Sequence, residues 1–256
     1  MIHPSAIVYP GAEIDVDVEV GPFVVIGANV KIGRGTKIGP SAVIQGWTEI
    51  GEDNQIFHLT SVGAIPQDLK YKGEQTYLKI GNGNIIREFA TIHPGTITGD
   101  GETTIGNSNL FMAYSHVAHD CHIGNRVIMA NGATLAGHIT VEDFAILGGL
   151  CAVHQYARIG AHVMVAGGAM VGQDVPPYTM ASGDRATLHG LNLVGLKRCG
   201  FSEEVIRDLK KAYKILVRSN LRVEDALAKI KSEIPLSAEL NHFIKFVENA
   251  KRGICR

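Results

Sequence analysis

An apolar residue, usually isoleucine or valine, returns at every sixth position of this chain. Ile2, Val8, Ile14, Val20, Ile26, Ile32, Ile38, Ile44, Ile50, Ile56 and Val62 keep one register, which Ile80, Ile86 and Ile92 continue. After a shift of one residue the series resumes at Ile105 and runs through Phe111, Val117, Ile123, Met129, Leu135, Val141, Leu147, Val153, Ile159 and Val165 to Val171. A helix repeats at about 3.6 residues and a strand at about 2, so neither gives this period. Hexads sustained over such a length predict a β-solenoid, in which stacked coils bury one continuous apolar column. Glycine often follows the apolar residue, as at Gly21, Gly27, Gly33 and Gly39, which suits a corner between short strands. Three hexads then make one coil of about 18 residues with a triangular cross-section.

Two stretches break the register, near residues 64–79 and 95–104. The first fills one coil's length, yet Asp68 and Glu74 stand where apolar residues are due, so a loop thrown out of the solenoid is expected. The second carries Gly95, Gly99 and Gly101. Loops displayed on a rigid scaffold are common carriers of function. The hexads stop near Pro176-Pro177, and a helical pattern is expected from about Thr187, giving a solenoid over 1–186 and an α-helical domain over 187–256. Ser202 reads as an N-cap, with Glu203 and Glu204 in the first turn and Phe201 set to staple onto Ile206. Further helices are expected over about 222–232 and 238–252, with Gly200 closing a shorter one around Leu196-Lys197-Arg198. The solenoid pattern resembles the left-handed parallel β-helix of the hexapeptide-repeat acyltransferases, and the handedness comes from that resemblance.

Composition narrows the picture further. The chain has 256 residues, 45% of them hydrophobic, without an apolar run of membrane-spanning length. It opens on Met1-Ile2-His3-Pro4 with no signal-peptide core, and the repeats begin at once, so the mature protein is expected to start here. Cys121, Cys151, Cys199 and Cys255 lack metal-finger spacing and read as reduced thiols, which points to the cytoplasm. A net charge of −1 argues against a general nucleic-acid binder. Residues 187–256 nevertheless hold 14 Lys/Arg against 8 Asp/Glu, and the remainder 10 against 17. A basic helical domain could receive an acidic partner or a phosphate-bearing ligand; equally, Lys210, Lys211 and Lys214 could merely solvate a helix face.

Candidate chemistry concentrates between residues 116 and 155. His119 lies one 18-residue coil before Gly137, and Gly137 one coil before Gln155, with His138 and His154 adjacent to those positions. With neighbouring coils about 4.8 Å apart, His119, His138 and His154 should gather at one corner of three successive coils. Histidine titrates near neutrality and can take a proton from an attacking hydroxyl. A backbone N–H near Gly137 could stabilise the oxyanion that results. No Gly-x-Ser-x-Gly nucleophile motif is present, which favours direct transfer over a covalent acyl-enzyme. The rival reading is a zinc site built from the same imidazoles, comparable to the γ-class carbonic anhydrases, but it leaves the first loop and the basic domain without a purpose.

The motifs Gln67-Asp68-Leu69-Lys70-Tyr71, Ala118-His119-Asp120-Cys121, Ala133-Thr134-Leu135-Ala136-Gly137-His138, Ala152-Val153-His154-Gln155, Gly160-Ala161-His162-Val163-Met164-Val165, Gln173-Asp174-Val175-Pro176-Pro177-Tyr178 and Gly195-Leu196-Lys197-Arg198 together resemble the UDP-N-acetylglucosamine O-acyltransferases of lipid A biosynthesis over essentially the whole length. The resemblance implies transfer of an (R)-3-hydroxyacyl group from acyl carrier protein to the 3-hydroxyl of UDP-N-acetylglucosamine, by a homotrimer with sites between solenoids. No cofactor is expected, and no metal either, because the histidines have a competing proton-transfer role and no cysteine pair supplies a closed site. It implies His119 as general base, Asp120 as its orienting partner and Gly137 as oxyanion donor. Asp68 and Lys70 match contacts to sugar and phosphate, with Asp68 approaching a neighbour's histidines. His116, His138, His154 and Gln155 match the substrate pocket, Asn192 and Arg198 the nucleotide, and Gly167 the residue limiting acyl length. Cys199 and Val194 depart from the family pattern, where an arginine and an acid are common.

Overall fold

The computed structural model describes residues 1–256. Short strands alternate around three faces of a prism, in parallel sheets of nine, eight and ten strands. Face 1 runs from Ile7–Val8 to Met170–Val171, face 2 from Glu13–Ile14 to Arg158–Ile159, and face 3 from Glu19–Val20 to Thr187–Leu191. Ile7 pairs with Val25 and His116 with Thr134, the 18-residue coil expected from three hexads. In the two-residue strands of face 1 the second residue points inward, so Ile26, Ile44, Val62, Ile92, Val117, Leu135 and Val153 form one buried column. Parallel coils stacked this way satisfy one another's backbone groups, so neither strand length nor propensity has to hold any single coil together.

The two interruptions have different lengths, and the difference explains the phase of the repeat. Ser61 pairs with Thr91, a spacing of 30. The first loop therefore adds two hexads rather than the full coil expected, and the register survives it. Tyr77 pairs with Glu102, a spacing of 25. The second loop adds seven residues, and the odd one is the shift seen in the sequence. Both loops end earlier than expected, because Tyr77–Ile80 and Glu102–Ile105 are strands.

The helical part also begins later than residue 187. Thr187–Leu191 is a strand, antiparallel to Thr179–Ser182 and closing the end of face 3. Helix α1 (Leu193–Arg198) follows, then α2 (Glu203–Arg218), α3 (Val223–Glu233) and α4 (Ala238–Glu248). Ser202 caps α2 through Val205 N–H at 3.2 Å, and Gly200 takes the left-handed turn after α1 at φ 79°. Phe201 packs edge-on against His162 at 4.9 Å. The helices are fastened to the prism. Arg158 donates to Asp174 at 2.8 Å and to the Phe246 carbonyl at 2.7 Å, while its guanidinium covers the Phe246 ring. His242 of α4 bridges Glu142 and the Tyr178 hydroxyl, each at 2.9 Å.

Candidate active site

Corner 1, between faces 1 and 2, collects most of the residues singled out from the sequence. His119 and Asp120 turn the chain in one coil, Gly137 and His138 in the next, and Gln155 and Tyr156 in the one after. Asp120, His138 and Tyr156 hold φ of 57°, 61° and 65°, a conformation that costs a residue with a Cβ and that aims each side chain out of the corner. His119 lies against Gly137: a Cβ there would fall 2.6 Å from His119 Cε1 and 2.8 Å from Nε2. Glycine is required at this position because the imidazole occupies the space of a side chain. The Gly137 N–H donates to no group of the chain, as is common at these corners, but here the missing side chain and the adjacent imidazole leave it open beside a base.

Asp120 is buried and receives three hydrogen bonds. His119 Nδ1 donates to Oδ2 at 2.7 Å, the Thr96 hydroxyl to Oδ2 at 2.7 Å, and the Thr96 amide to Oδ1 at 3.0 Å. Burial acts most strongly on this carboxyl and opposes its charge, but the bonds from His119 and Thr96 prevail and hold it below the ordinary aspartate range. A carboxylate on Nδ1 leaves the lone pair of Nε2 facing outward over Gly137. His138 meets His119 edge-on at 5.0 Å and stacks on Tyr156 at 4.4 Å. Burial lowers the pKa of His138, and the charge of His119 adds to this, while Asp120, Asp100 and Asp68 act the other way.

Asp68 is thus near enough to His138 of its own chain for its charge to be felt. The first loop springs from corner 1 itself, between the strands Ser61–Val62 and Tyr77–Ile80. Asp68 also accepts the amide of Lys70 at 2.9 Å, leaving the lysine side chain exposed. His116 faces outward on face 1, bonded to Thr91 Oγ1 at 2.7 Å. Burial first, then the charges of His93 and His119, bring its pKa down to about 4, so it is neutral where enzymes usually work. His154 and Gln155 are exposed one coil beyond His138.

Three expected residues lie elsewhere in the chain. Asn192 caps α1 beside corner 2, accepting from Gly195 N–H at 3.1 Å and donating to the His162 carbonyl at 2.9 Å. Arg198 is exposed at the end of that helix, next to Cys199 and near exposed Val194. Gly167 is exposed at corner 3 against the Gly149 carbonyl. Two residues of corner 1 were missed from the sequence. Thr96 grips Asp120 from inside the second loop. His93, buried with Nδ1 on the Ala64 carbonyl at 2.9 Å and Nε2 unpartnered, sits one coil before Ala118. The seven-residue insertion hid both, because neither is 18 residues from its neighbour.

His119, Asp120 and His138 offer three donor atoms within 4.8 Å of one another, enough to reach one metal ion. The oxygen of Asp120 shared by both histidines already accepts from His119 and Thr96, so an ion would have to displace these bonds.

Comparisons with known proteins place the chain in a family. Residues 174–255 match the family model described as UDP-N-acetylglucosamine O-acyltransferase, domain 2, and residues 102–137 match bacterial transferase hexapeptide repeats. An acyl-[acyl-carrier-protein]--UDP-N-acetylglucosamine O-acyltransferase of Thermodesulfovibrio yellowstonii is 60% identical over 100% of this chain and 99% of its own. One from Trichlorobacter lovleyi is also 60% identical, with the same coverage. Among solved structures, a UDP-N-acetylglucosamine acyltransferase from Bacteroides fragilis superposes with a TM-score of 0.97 at 43% identity, covering 100% of both chains. LpxA from Acinetobacter baumannii gives 0.97 at 44%, covering 100% of this chain and 99% of that one.

Proposed function

This chain belongs to the UDP-N-acetylglucosamine O-acyltransferase family and is an acyltransferase, and on that premise we propose that it moves an (R)-3-hydroxyacyl group from acyl carrier protein to the 3-hydroxyl of UDP-N-acetylglucosamine, the first step of lipid A biosynthesis. The observation that carries the mechanism is the His119 Nδ1–Asp120 bond of 2.7 Å beneath an imidazole seated on Gly137. His119 Nε2 takes the proton of the sugar hydroxyl as its oxygen attacks the thioester carbonyl. Asp120 keeps the tautomer and stabilises the imidazolium that forms. The Gly137 N–H receives the negative charge on the carbonyl oxygen. Collapse of the tetrahedral intermediate expels the carrier's thiolate, which takes the proton from His119. Asp68 and Lys70 hold the sugar and its phosphates, and His116, His138, His154 and Gln155 line the pocket.

The surface of the prism supports a homotrimer. The outward residues of face 2 include Glu13, Lys31, Glu49 and Lys79, whereas on face 3, beyond Glu19, Lys37 and Gln55 in its first coils, they are Ile85, Leu110, Ile128, Ile146 and Met164. Corner 3 adds an exposed ladder of Phe23, Leu59, Phe89, Tyr114 and Leu150. Copies meeting through corner 3 and its flanking faces bring corner 2 of one chain toward corner 1 of the next. Asn192, Arg198 and Gly167 then complete a site that one chain leaves open, with Gly167 bounding a groove for the acyl chain. The excess positive charge of residues 187–256 offers a dock for an acidic carrier protein. A cytoplasmic location suits these substrates, and no helix is long and apolar enough to cross a membrane.

Mass spectrometry of UDP-N-acetylglucosamine incubated with the protein and carrier thioesters of increasing length tests the reaction. A single acylated product is expected, and His119→Ala should form it at least ~10²-fold more slowly. Gly167→Met should move the optimum toward shorter donors. Near-normal turnover of His119→Ala would remove the base, and activity lost on chelation and restored by zinc would favour the metal reading.

A further inference from the structure

The second loop has no role in the mechanism above, yet it closes over the most buried charge at the site. Asp120 faces two imidazoles, His119 Nδ1 at 2.7 Å and His138 Nδ1 at 3.8 Å, through the same oxygen, Oδ2. A carboxylate free to rotate would divide itself between them. It is not free: the Thr96 amide takes Oδ1 and the Thr96 hydroxyl takes Oδ2. Gly99 seals the other side, where a Cβ would fall 2.4 Å from Asp120 Cγ. The loop itself is pinned at both ends. Gly95 donates to the Tyr77 carbonyl at 3.1 Å and Tyr77 to the Gly101 carbonyl at 2.9 Å. Gly99 and Gly101 both donate to the Thr96 carbonyl at 3.1 Å, and the Thr96 hydroxyl meets Thr98 Oγ1 at 2.9 Å.

We propose that this seven-residue insertion is a positioning device, in which Thr96 and Gly99 lock the Asp120 carboxylate so that it serves His119 and is withheld from His138. The proposal rests on His119 being the base. It assigns no substrate contact to Thr96 or Gly99; both act through Asp120. Within the regular coils a comparable double grip runs along the stack, as where Asn125 gives its amide and its Nδ2 to Asp143 of the next coil. At Asp120 the grip comes instead from a loop outside the stack, whose Thr96 brings a backbone amide and a hydroxyl to the carboxylate.

Four variants of the full-length enzyme test it: Thr96→Val, Thr96→Ser, Gly99→Ala and Asp120→Asn. Thr96→Val keeps the shape and loses the hydroxyl. It should lower kcat about tenfold, the worth of one hydrogen bond near 1.4 kcal/mol, with KM for both substrates nearly unchanged. Thr96→Ser should restore kcat. Gly99→Ala leaves the hydroxyl in place but pushes the carboxylate aside, and should reproduce the Thr96→Val defect. On the Asp120→Asn background, Thr96→Val should add nothing, since two changes acting through one group are not additive.

The pH profile of kcat/KM separates positioning from mere stabilisation. The charges facing His119 are Asp120 and the imidazoles of His138 and His116, with Asp68 and Asp100 beyond His138. If Thr96→Val lets the carboxylate drift toward His138, the His119 imidazolium loses its partner and the acid limb moves to lower pH. The proton on His119 Nδ1, followed by NMR, should lose its strong hydrogen-bond shift. A Thr96→Val enzyme with a lowered melting temperature but unchanged kcat, pH profile and Nδ1 proton overturns the proposal, as does an acid limb that moves upward. The premise fails separately: turnover by His119→Ala would sink the base, whereas an inactive His119→Ala beside a normal Thr96→Val would sink only the role of the loop.

Discussion

His138 and His162 occupy equivalent turns on two corners of the same prism. Both hold left-handed backbone, at φ 61° and 56°. Both lie flat against a neighbouring coil's aromatic ring at an interplanar angle of 6°, His138 on Tyr156 at 4.4 Å and His162 on Phe144 at 4.6 Å. Burial lowers the pKa of both. Their surroundings then diverge. His138 meets a second imidazole and the Asp120 carboxylate, and two loops bring Asp68 and Asp100 within reach. His162 is enclosed by Phe201 and Tyr178, where the helical part docks, and its carbonyl holds the Asn192 cap. The repeat delivers a histidine to a corner in either case. What arrives from outside the repeat, a polar loop or an apolar helix, decides whether it sits among charged groups or among aromatic rings.

The largest test of this contrast is Gly137→Ala. The new methyl must push the His119 ring by a fraction of an ångström or more, and a misplacement of that size costs on the order of 10²-fold in kcat. Fold and melting temperature should hardly change, because the clash is with a side chain at the rim. Unchanged kcat would show that the ring is not held in its reactive position by Gly137.

An exchange of roles between the two histidines comes next. His138→Ala should cut turnover about tenfold through one lost polar contact and leave the melting temperature nearly unchanged. His162→Ala should do the reverse, losing about 0.5–1.5 kcal/mol of aromatic packing with turnover kept. Thermal melts and steady-state rates on both variants measure this, and a His162→Ala enzyme that is stable but slow would erase the distinction.

The last test concerns His116 and is read in stability rather than turnover. Its imidazole binds a proton at 6.5 in the unfolded chain but only at about 4 in the folded one. Stability is therefore whole above pH 6.5, declines as the pH falls from 6.5 to 4, and levels out below. Denaturant midpoints of His116→Asn should fall less steeply with acid over that window than those of the parent. Parallel curves would mean that His116 is not held neutral by its surroundings.

The sequence by itself determined the solenoid, because a hexad of Ile and Val commits every third of a coil to one buried column and each coil repeats the decision independently. It also determined which coils carry His119, Gly137, His138 and Gln155, since regular 18-residue spacing converts directly into stacking. The helix start at Ser202 was legible for a similar reason: its cap and first-turn acids are local. Tertiary structure decided what the spacing could not express. Thr96 and His93 join the site across an insertion of irregular length, and Asp68 stands on a loop whose path no period encodes. The strand Thr187–Leu191, expected as helix, forms because the end of face 3 offers it a partner in Thr179–Ser182. Asn192, Arg198 and Gly167 lie on other corners because three corners of one rigid prism point apart. A repeat can set the order of residues along its axis, but only contacts between non-repeating segments can choose which of its corners becomes a site.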